Sequence, residues 1–493
     1  MPEEQTSRVE GIDTGPSPNE AWRLRMALVS QIEAGRRKDA VVDTMLASRS
    51  WRLTAPFRSL VRLLKSPQVA TSALPLQPGA KGTGQTLGAC IDALVQEAAL
   101  PAWMARPVFA GQPRLLVDVT ELSLEDLGGG VQRVTRQLLG EMLADPHGFA
   151  IEPVRIASDH TYVHARAFTS GLLGLAPQAL GVDFEVKARP GDVLLGLDFC
   201  RPHHLALAAA LPKLRHGGAR VALFVHDVLP LQHPDWFPEA VPEQFERWLA
   251  VFSEHADLAL VNSEATARSL ESALRDRALP GPSMGQRVIL LGADAVPDVA
   301  APSPLPERAT GTTRVLMVGT IEPRKGHAQV LDAMERLWAN GEHFELVIVG
   351  RQGWKTSELG QRLRGHPQQG RRLHWFEGAD DYWLASLYRD CDVLVMASSD
   401  EGFGLPIVEA GRAGCGLLLR DIPVFREIAG DAAEYFEGND TDAMAQALRR
   451  WSRPRNDARR TRPWIHWRQS ADAVLGACAD LVEATGEQLR RSS

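Results

Sequence analysis

Two basic residues, Arg324 and Lys325, follow an apolar segment that is typical of a buried strand. The segment reads VLMVGTIEPRKG, so the strand ends at Gly319, Thr320 follows, and a proline-containing turn delivers the two cations. At the carboxyl end of a strand in a parallel sheet, such side chains lie at the edge where ligands bind. Paired cations there can neutralise a diphosphate, which needs charge stabilisation as a leaving group. An ordinary basic turn is the alternative.

A glycine-rich motif, SSDEGFGLPIVEAGRAG, follows a second apolar segment, VLVMA. Its glycines permit a tight turn, and its proline is tolerated in a first helical turn. Backbone amides at such a helix start can bind an anion. We therefore expect contacts to an anionic group of a ligand from Gly402, Phe403, Gly404 and Leu405.

Two glutamates of the same motif are candidates for sugar and ribose hydroxyls. Glu409 is surrounded by apolar and small residues, where an unpaired carboxylate is costly, so it needs a partner. A ribose diol would satisfy it. Glu401, at the mouth of the turn, can bind hydroxyls of a transferred sugar. A structural salt bridge is the alternative.

Three consecutive glycines, of which Gly129 and Gly130 are candidate phosphate contacts, precede the helical segment VQRVTRQLLGEML. Such a loop can approach a phosphate closely, and a flexible loop is the alternative. Arg133 and Arg136, in the first turns of that helix, can contact an anionic acceptor. We favour solvated helix charges for both.

His226 and Asp227 directly follow another apolar segment, in FVHDVLPLQHPDWFP, and are therefore expected at the same cleft. His226 can bond a donor-sugar hydroxyl or the acceptor, and Asp227 can orient it or contact the acceptor. A satisfied structural histidine is the alternative. Trp236 and Phe237 are expected in an acceptor groove or in the core.

Short apolar runs alternate with helical periods from Arg114 onward, which predicts an α/β protein with two doubly wound, Rossmann-like domains. The predicted strands are Leu115–Val119, Val193–Leu197, Val221–Val225, Leu258–Val261, Val288–Leu291, Val315–Val318, Leu346–Val349, Val393–Met396 and Gly416–Leu419. The predicted divisions are an N-terminal extension, partly helical or disordered (1–112), a first Rossmann-like domain (113–299), a linker (300–313), a second Rossmann-like domain (314–455) and C-terminal helices (456–493). In the last part, Trp464 and Trp467 are expected on one helix face, and the final helix on the first domain.

The composition excludes several classes of protein. Lys and Arg total 54 against 61 Asp and Glu, a net charge of −7, which argues against a surface built for nucleic acid. The five cysteines are widely spaced and the N-terminus lacks an apolar signal segment, so a cytoplasmic protein is expected.

A basic stretch, Arg49–Lys65, predicts peripheral contact with the anionic inner face of the plasma membrane. After Pro56 its apolar residues have helical spacing, and docking of this helix on the rest of the protein is the alternative. Asp440 and Asp442 are better explained by helix capping than by metal binding.

Glu401 and Glu409 together form an E-x7-E pattern, and GTIEPRKG precedes it at the usual distance. In both motifs the sequence resembles retaining GT-B glycosyltransferases of family 4, and looks most like bacterial members that build O-antigens and related polysaccharides. The resemblance implies two domains facing a central cleft, a nucleotide diphosphate sugar bound mainly by the second domain, and no cofactor or obligatory metal. It makes Lys325, helped by Arg324, the diphosphate ligand, Glu409 the ribose ligand and Glu401 the sugar ligand. Many members have Gly-Arg where this chain has Gly319-Thr320, so Arg324 is expected to supply the missing charge.

The expected reaction is transfer of a hexose from a nucleotide diphosphate sugar to a hydroxyl of a growing polysaccharide or lipid-linked glycan, with retention at the anomeric carbon. The first candidate for the hexose and its donor is mannose from GDP-mannose. A sugar-nucleotide epimerase of the same architecture is one alternative. A non-catalytic glycan-binding module is another.

Overall fold

The structure is a computed structural model of the 493-residue chain. It describes residues 111–492 except 127, 174, 176–178, 200–202, 294–302, 304, 380 and 452–461. The segment Arg49–Lys65 and the predicted extension up to residue 110 therefore lie outside the described residues, as does part of the predicted linker.

The described residues form two sheets. The first has seven strands in the order β3-β2-β1-β4-β5-β6-β7, and all neighbours are parallel except β2 and β3. Its strands are β1 (Arg114–Asp118), β2 (Ala150–Ile156), β3 (Tyr162–His164), β4 (Val193–Gly196), β5 (Arg220–Val225), β6 (Leu258–Val261) and β7 (Gln286–Val288). The second has six parallel strands in the order β10-β9-β8-β11-β12-β13. Its strands are β8 (Thr313–Val318), β9 (Phe344–Val349), β10 (Leu373–Phe376), β11 (Val393–Met396), β12 (Gly416–Arg420) and β13 (Glu434–Phe436).

Helices connect the strands. In the part of the chain that is described they are α1 (Thr120–Leu124), α2 (Gly130–Ala144), α3 (Arg166–Leu172), α4 (His204–His216), α5 (Leu229–Gln232), α6 (Ala240–His255), α7 (Glu264–Asp276), α8 (His327–Ala339), α9 (Ser357–Arg364), α10 (Asp381–Asp390), α11 (Leu405–Arg412), α12 (Pro423–Ala429), α13 (Thr441–Trp451) and α14 (Trp467–Ser492). Short 3-10 turns lie at Pro234–Trp236, Pro323–Lys325 and Gly430–Ala432.

Each sheet has its own apolar core. On the first, α6 contributes Phe245, Trp248, Leu249 and Phe252, spaced so that they share one helix face. All four are buried. Burying such side chains stabilises the fold by about 1.5–3 kcal/mol each.

The chain divides into two compact units, and both sheets lie in the larger one, residues 109–165 and 184–493. The described part of the other unit lies within residues 166–183 and contains α3, where Ser170 Oγ donates to Arg166 O at 2.9 Å.

The two α/β sheets confirm the predicted fold class, and α14 packs on α2 of the first sheet, as expected for the final helix. Two details of the sequence prediction are wrong. The predicted strand Val288–Leu291 begins at the residue where β7 ends. Trp464 does not share a helix with Trp467, because α14 begins only at Trp467, where Gln469 Oε1 accepts from His466 N at 2.9 Å and caps the helix start.

Candidate active site at the carboxyl ends of β8 and β11

The turn after β8 is held against the loop that follows β11. Gly326 has φ +71°, and an added Cβ would lie 2.4 Å from the carbonyl oxygen of Ala397, so only glycine fits there. Ser399 N donates to Arg324 O at 2.8 Å. The 3-10 turn Pro323–Lys325 is therefore fixed beside the first residues of the glycine-rich motif.

A buried ion cluster lies at the end of β8, and we call it the β8 charge cluster. Its members are Glu322, Arg324, Lys325 and Glu401. Arg324 Nη1 lies 2.8 Å from Glu401 Oε2, and its Nε lies 3.0 Å from Glu322 Oε2. Lys325 Nζ donates to Glu401 Oε1. The side chain of Glu401 is only 8% exposed, so solvent screens these charges weakly. The structure thus brings together three of the predicted catalytic residues.

The pKa of Glu401 reports on this arrangement. Burial favours the neutral acid, but the charges of Arg324 and Lys325 outweigh it and lower the pKa from 4.5 to about 2. For Arg324, burial alone would lower the pKa, and the carboxylates of Glu401 and Glu322 raise it instead. Glu401 is therefore a carboxylate and Arg324 a cation at neutral pH.

Three carboxyl groups are less acidic than usual, of which Glu322 belongs to the cluster and Asp227 and Asp400 lie beside it. Burial is the main reason that the pKa values of Asp227, Glu322 and Asp400 are raised. Asp227 Oδ1 accepts from Leu229 N at 3.1 Å, and Asp400 Oδ1 accepts from Glu401 N at 2.8 Å. An entering anion would compete with these groups for the two cations.

The glycine-rich turn has the shape expected from its sequence. Gly404 has φ +101° and is the N-cap of α11, and Pro406 lies in the first turn. No side chain caps the start of α11, so its first amides are not satisfied in that way. Their contact with a donor phosphate stays a prediction. Gly402 has a structural use as well, because an added Cβ would lie 1.9 Å from the carbonyl oxygen of His226.

Glu409 is buried and has protein partners. The hydroxyl of Tyr388 donates to Glu409 Oε2 at 2.7 Å, and Arg133 Nη2 lies 3.0 Å from Oε1. Arg133 also lies 3.3 Å from Asp381. The predicted need for a partner is thus met by a salt bridge, and the ribose contact stays a prediction. The expectation of a solvated Arg133 is wrong, because the start of α2 reaches the second sheet.

The glycine loop before α2 has an open side. Gly128 has φ +66°, Gly129 is the helix N-cap, and no heavy atom lies within 4 Å of a Cβ added at Gly128 or Gly130. Arg136 pairs with Asp126, so it too is not a free helix charge. A close approach of a phosphate to this loop remains a prediction.

His226 is buried at the end of β5. Its Nε2 donates to the carbonyl oxygen of Leu197 at 2.8 Å, and its ring stacks on Phe224 with centroids 4.6 Å apart. Burial lowers its pKa from 6.5 to about 4, so the ring is neutral at pH 7. The hydrogen bond to Leu197 fits the structural alternative, and a sugar contact would have to use Nδ1.

Aromatic residues after β5 contact the second sheet's loops. Trp354 Nε1 donates to the carbonyl oxygen of Trp236 at 2.7 Å, and the rings of Trp354 and Phe237 stack at 5.8 Å. His233 stacks on Trp236 at 3.8 Å, and its Nε2 lies 3.6 Å from Asp400. The sequence did not single out Trp354, five residues after the predicted strand Leu346–Val349, or His233, which lies inside the segment FVHDVLPLQHPDWFP.

Asp440 Oδ1 accepts from Asp442 N at 2.9 Å, as helix capping requires. Across the described ranges, no group of three or more His, Cys, Asp or Glu residues could hold a metal ion. No helix in that part of the chain is both long and apolar enough to cross a bilayer.

Residues 306–463, which contain the β8 charge cluster and Glu409, match the family model described as glycosyl transferases group 1. This segment is a glycosyltransferase group 1 domain. For this segment, the glycosyltransferase family expected from the two motifs is therefore confirmed.

Curated relatives extend the likeness to the first sheet. The chain is 35% identical over 407 residues to the serotype-specific mannosyltransferase WbdA of Escherichia coli, a match over 78% of this chain and 49% of WbdA. It is 36% identical over 173 residues to a phosphatidyl-myo-inositol mannosyltransferase of Mycolicibacterium smegmatis, covering 32% of this chain and 43% of that protein. The chain thus spans about half the length of the curated relatives it matches. A crystal structure of Anabaena Alr3699/HepE with UDP and glucose aligns with a TM-score of 0.47 at 15% identity, over 77% of this chain and 99% of that one.

Proposed function

We propose that this chain is a retaining glycosyltransferase that moves a hexose from a nucleotide diphosphate sugar to a hydroxyl of a growing bacterial polysaccharide or lipid-linked glycan. The observation that carries the proposal is the β8 charge cluster, in which Arg324 and Lys325 are held at the strand end within a glycosyltransferase group 1 domain. Mannose from GDP-mannose is the first candidate donor, because relatives such as WbdA are named mannosyltransferases.

The cluster suits an exchange of anions. A diphosphate that binds Arg324 and Lys325 displaces Glu401, whose carboxylate is then free to accept hydrogen bonds from hydroxyls of the donor sugar. Charge-assisted bonds to a leaving diphosphate strengthen as charge develops on it, so they lower the barrier more than they tighten ground-state binding. Glu409, which lies on α11, exchanges its contact with Arg133 for hydrogen bonds from the ribose hydroxyls.

Retention follows from a front-face route. The bond between the anomeric carbon and the diphosphate oxygen breaks, the acceptor oxygen bonds to that carbon on the same face, and the acceptor's proton passes to the leaving phosphate. Arg324 and Lys325 supply the positive charge, so we propose that the reaction needs no resident metal. Activity should persist in excess EDTA, and its complete loss there would contradict this part of the proposal.

Lys325→Ala and Glu409→Ala test the function. Each should cut transfer of labelled mannose from GDP-mannose by orders of magnitude, because one removes a diphosphate ligand and the other the ribose ligand. Lys213→Ala, at an exposed position on α4, is the matched control and should act like the wild type. Circular dichroism checks that each variant is folded.

Donor hydrolysis is measured alongside transfer, because water can take the place of an acceptor that is not identified. If GDP-mannose gives no turnover, a panel of GDP-, UDP- and dTDP-sugars is tested in its place. Near-normal turnover by both site variants would contradict the assignment. Conversion of the donor to an epimer without any acceptor would support the epimerase alternative instead.

We further propose peripheral contact with an anionic membrane through Arg49–Lys65, which lies outside the described residues. Its five basic residues and no acidic one support electrostatic binding. Deleting residues 1–70 should release the protein from anionic vesicles, and unchanged vesicle binding would contradict the idea.

A further inference from the structure

Three polar side chains after β6 donate hydrogen bonds to backbone carbonyl oxygens in two predicted site segments. One segment follows β5 of the first sheet, and the other follows β11 of the second. Ser263 Oγ donates to the carbonyl oxygen of Gly402 at 2.8 Å, and Thr266 Oγ1 donates to the same oxygen at 3.1 Å. Asn262 Nδ2 donates to the carbonyl oxygen of His226 at 2.8 Å. One short segment of the first sheet therefore holds the backbone on either side of the candidate site.

All three side chains are buried, with 3% or less of each residue exposed. A buried hydroxyl or carbonyl that loses its partner keeps the cost of desolvation without the compensating bond. The two hydroxyls that meet at the carbonyl oxygen of Gly402 are therefore a specific contact and not an incidental one. We call Ser263, Thr266 and the Gly402 carbonyl the hydroxyl clamp.

The clamp lies where the backbones at Gly402 and His226 approach closely. A Cβ added at Gly402 would lie 1.9 Å from the carbonyl oxygen of His226 and 3.0 Å from the Cβ of Asp227. Gly402 directly follows Glu401, and Asp227 directly follows His226. The clamp thus fixes the distance between the end of β5 and the β8 charge cluster.

A second contact acts on the same helix start. Glu427 Oε1 accepts from Glu264 N at 2.7 Å and its Oε2 accepts from Ala265 N at 3.1 Å. A carboxylate at a helix N-terminus is favoured by the helix dipole. The first turn of α7 is therefore joined to the second sheet at two places, by the clamp and by α12.

We infer that Ser263 and Thr266 are positioning residues that align the end of β5 with the donor-binding loop. This inference rests on the proposed function. Of the predicted nucleotide ligands, Lys325, Arg324 and Glu409 lie on the second sheet's side and only the loop at Gly129 and Gly130 lies on the first, so loosening the clamp should change nucleotide affinity much less than the rate. It misplaces the first sheet's groups relative to the reacting carbon, and a misplacement of 1 Å can cost about 100-fold in rate.

Thr266→Val and Thr266→Ser form a matched pair. Valine keeps the shape of threonine and lacks the hydroxyl, whereas serine keeps the hydroxyl and lacks the methyl group. Both keep the backbone amide of residue 266, which donates to Ser263 Oγ at 3.0 Å and caps α7. The comparison therefore separates the clamp from helix capping.

For each variant we would measure kcat and donor KM with GDP-mannose, and GDP affinity by calorimetry. Thr266→Val should lower kcat by roughly 10-fold or more, with GDP affinity within about 3-fold of the wild type. Thr266→Ser should remain close to the wild type in both. Hydrogen exchange at the amides of residues 401–405 should be faster in Thr266→Val alone.

Equal kcat values for the valine and serine variants, or a loss confined to GDP affinity, would overturn the inference. If the wild type neither transfers nor hydrolyses any donor in the panel, the proposed function fails by itself. The hydrogen-exchange comparison still decides the clamp in that case, because unchanged exchange at residues 401–405 in Thr266→Val would show that the hydroxyl does not hold the loop.

Discussion

Replacing Glu401 by glutamine tests the β8 charge cluster directly. Glutamine has nearly the same shape but carries no charge, so Arg324 and Lys325 lose the carboxylate that lies between them. The side chains of the two cations are only 12% and 16% exposed, so water can replace the lost partner only in part.

The size of the effect follows from the pKa of Glu401. A change from 4.5 to about 2 corresponds to about 3 kcal/mol of stability. Removing one partner of a buried ion pair typically costs about 3–5 kcal/mol, which agrees. We therefore expect Glu401→Gln to lower the Tm by about 6–12 °C.

The pH dependence has a definite sign. Because the folded-state pKa of Glu401 lies below 4.5, its contribution is fully present above pH 4.5 and is lost as the pH falls toward about 2. The difference in Tm between wild type and Glu401→Gln should therefore be largest at neutral pH and narrow below pH 4.5.

Thermal unfolding followed by circular dichroism between pH 7 and pH 3 measures both effects. Glu243→Gln is the control, because Glu243 and its partner Arg247 are more than half exposed and such a pair contributes about 0–1 kcal/mol. Inorganic pyrophosphate should raise the Tm of Glu401→Gln more than that of the wild type, since it fills the place of the missing carboxylate. A Tm at pH 7 equal to that of Glu243→Gln, or equal shifts with pyrophosphate, would refute the reasoning.

Two further predictions concern neighbouring residues. Tyr388→Phe removes the hydroxyl that donates to Glu409 Oε2 at 2.7 Å and should raise the donor KM by about 5–10-fold, with a smaller change in kcat, as initial rates would show. An unchanged KM would mean that Glu409 does not need this partner to bind the donor. Gly402→Ala places a Cβ 1.9 Å from the carbonyl oxygen of His226 and should lower kcat about 100-fold, while GDP affinity measured by calorimetry persists. Wild-type turnover would show that the two backbones can separate without consequence.

The strands that the sequence predicted best are those buried on both faces. Leu258–Val261 and Val393–Met396 were predicted at the bounds that the structure shows, because continuous apolar runs are typical of parallel strands covered by helices. By contrast, β2 reads AIEPVRI and was missed. Its Glu152 is buried against His164, with Oε2 and Nδ1 3.1 Å apart, and that cross-strand partner cannot be read from local pattern.

The β8 charge cluster could be predicted because its members follow two strands that are neighbours in one sheet. The carboxyl ends of parallel neighbours meet at one edge, so Lys325 and Glu401 had to lie near each other. The pairing of Arg133 with Glu409 joins different sheets, and no periodicity encodes it. The same holds for the hydroxyl clamp, whose Ser263 is also the N-cap of α7 and lies in a segment that the sequence patterns did not single out.

Thr320, which stands where many family members have arginine, packs against the loop that follows β9. A Cβ added at Gly353 would lie 2.9 Å from Thr320 Cγ2 and 2.7 Å from the carbonyl oxygen of Ile321, so the space beside residue 320 is filled by the backbone of the next loop. Arg324, four residues further on, is a cation of the cluster, because the 3-10 turn brings its guanidinium to Glu401, and its use in place of an arginine at residue 320 stays a prediction. A charge needed at a strand end is set by where a side chain can reach, and a turn that folds back can supply it from a position that a motif alone would not select.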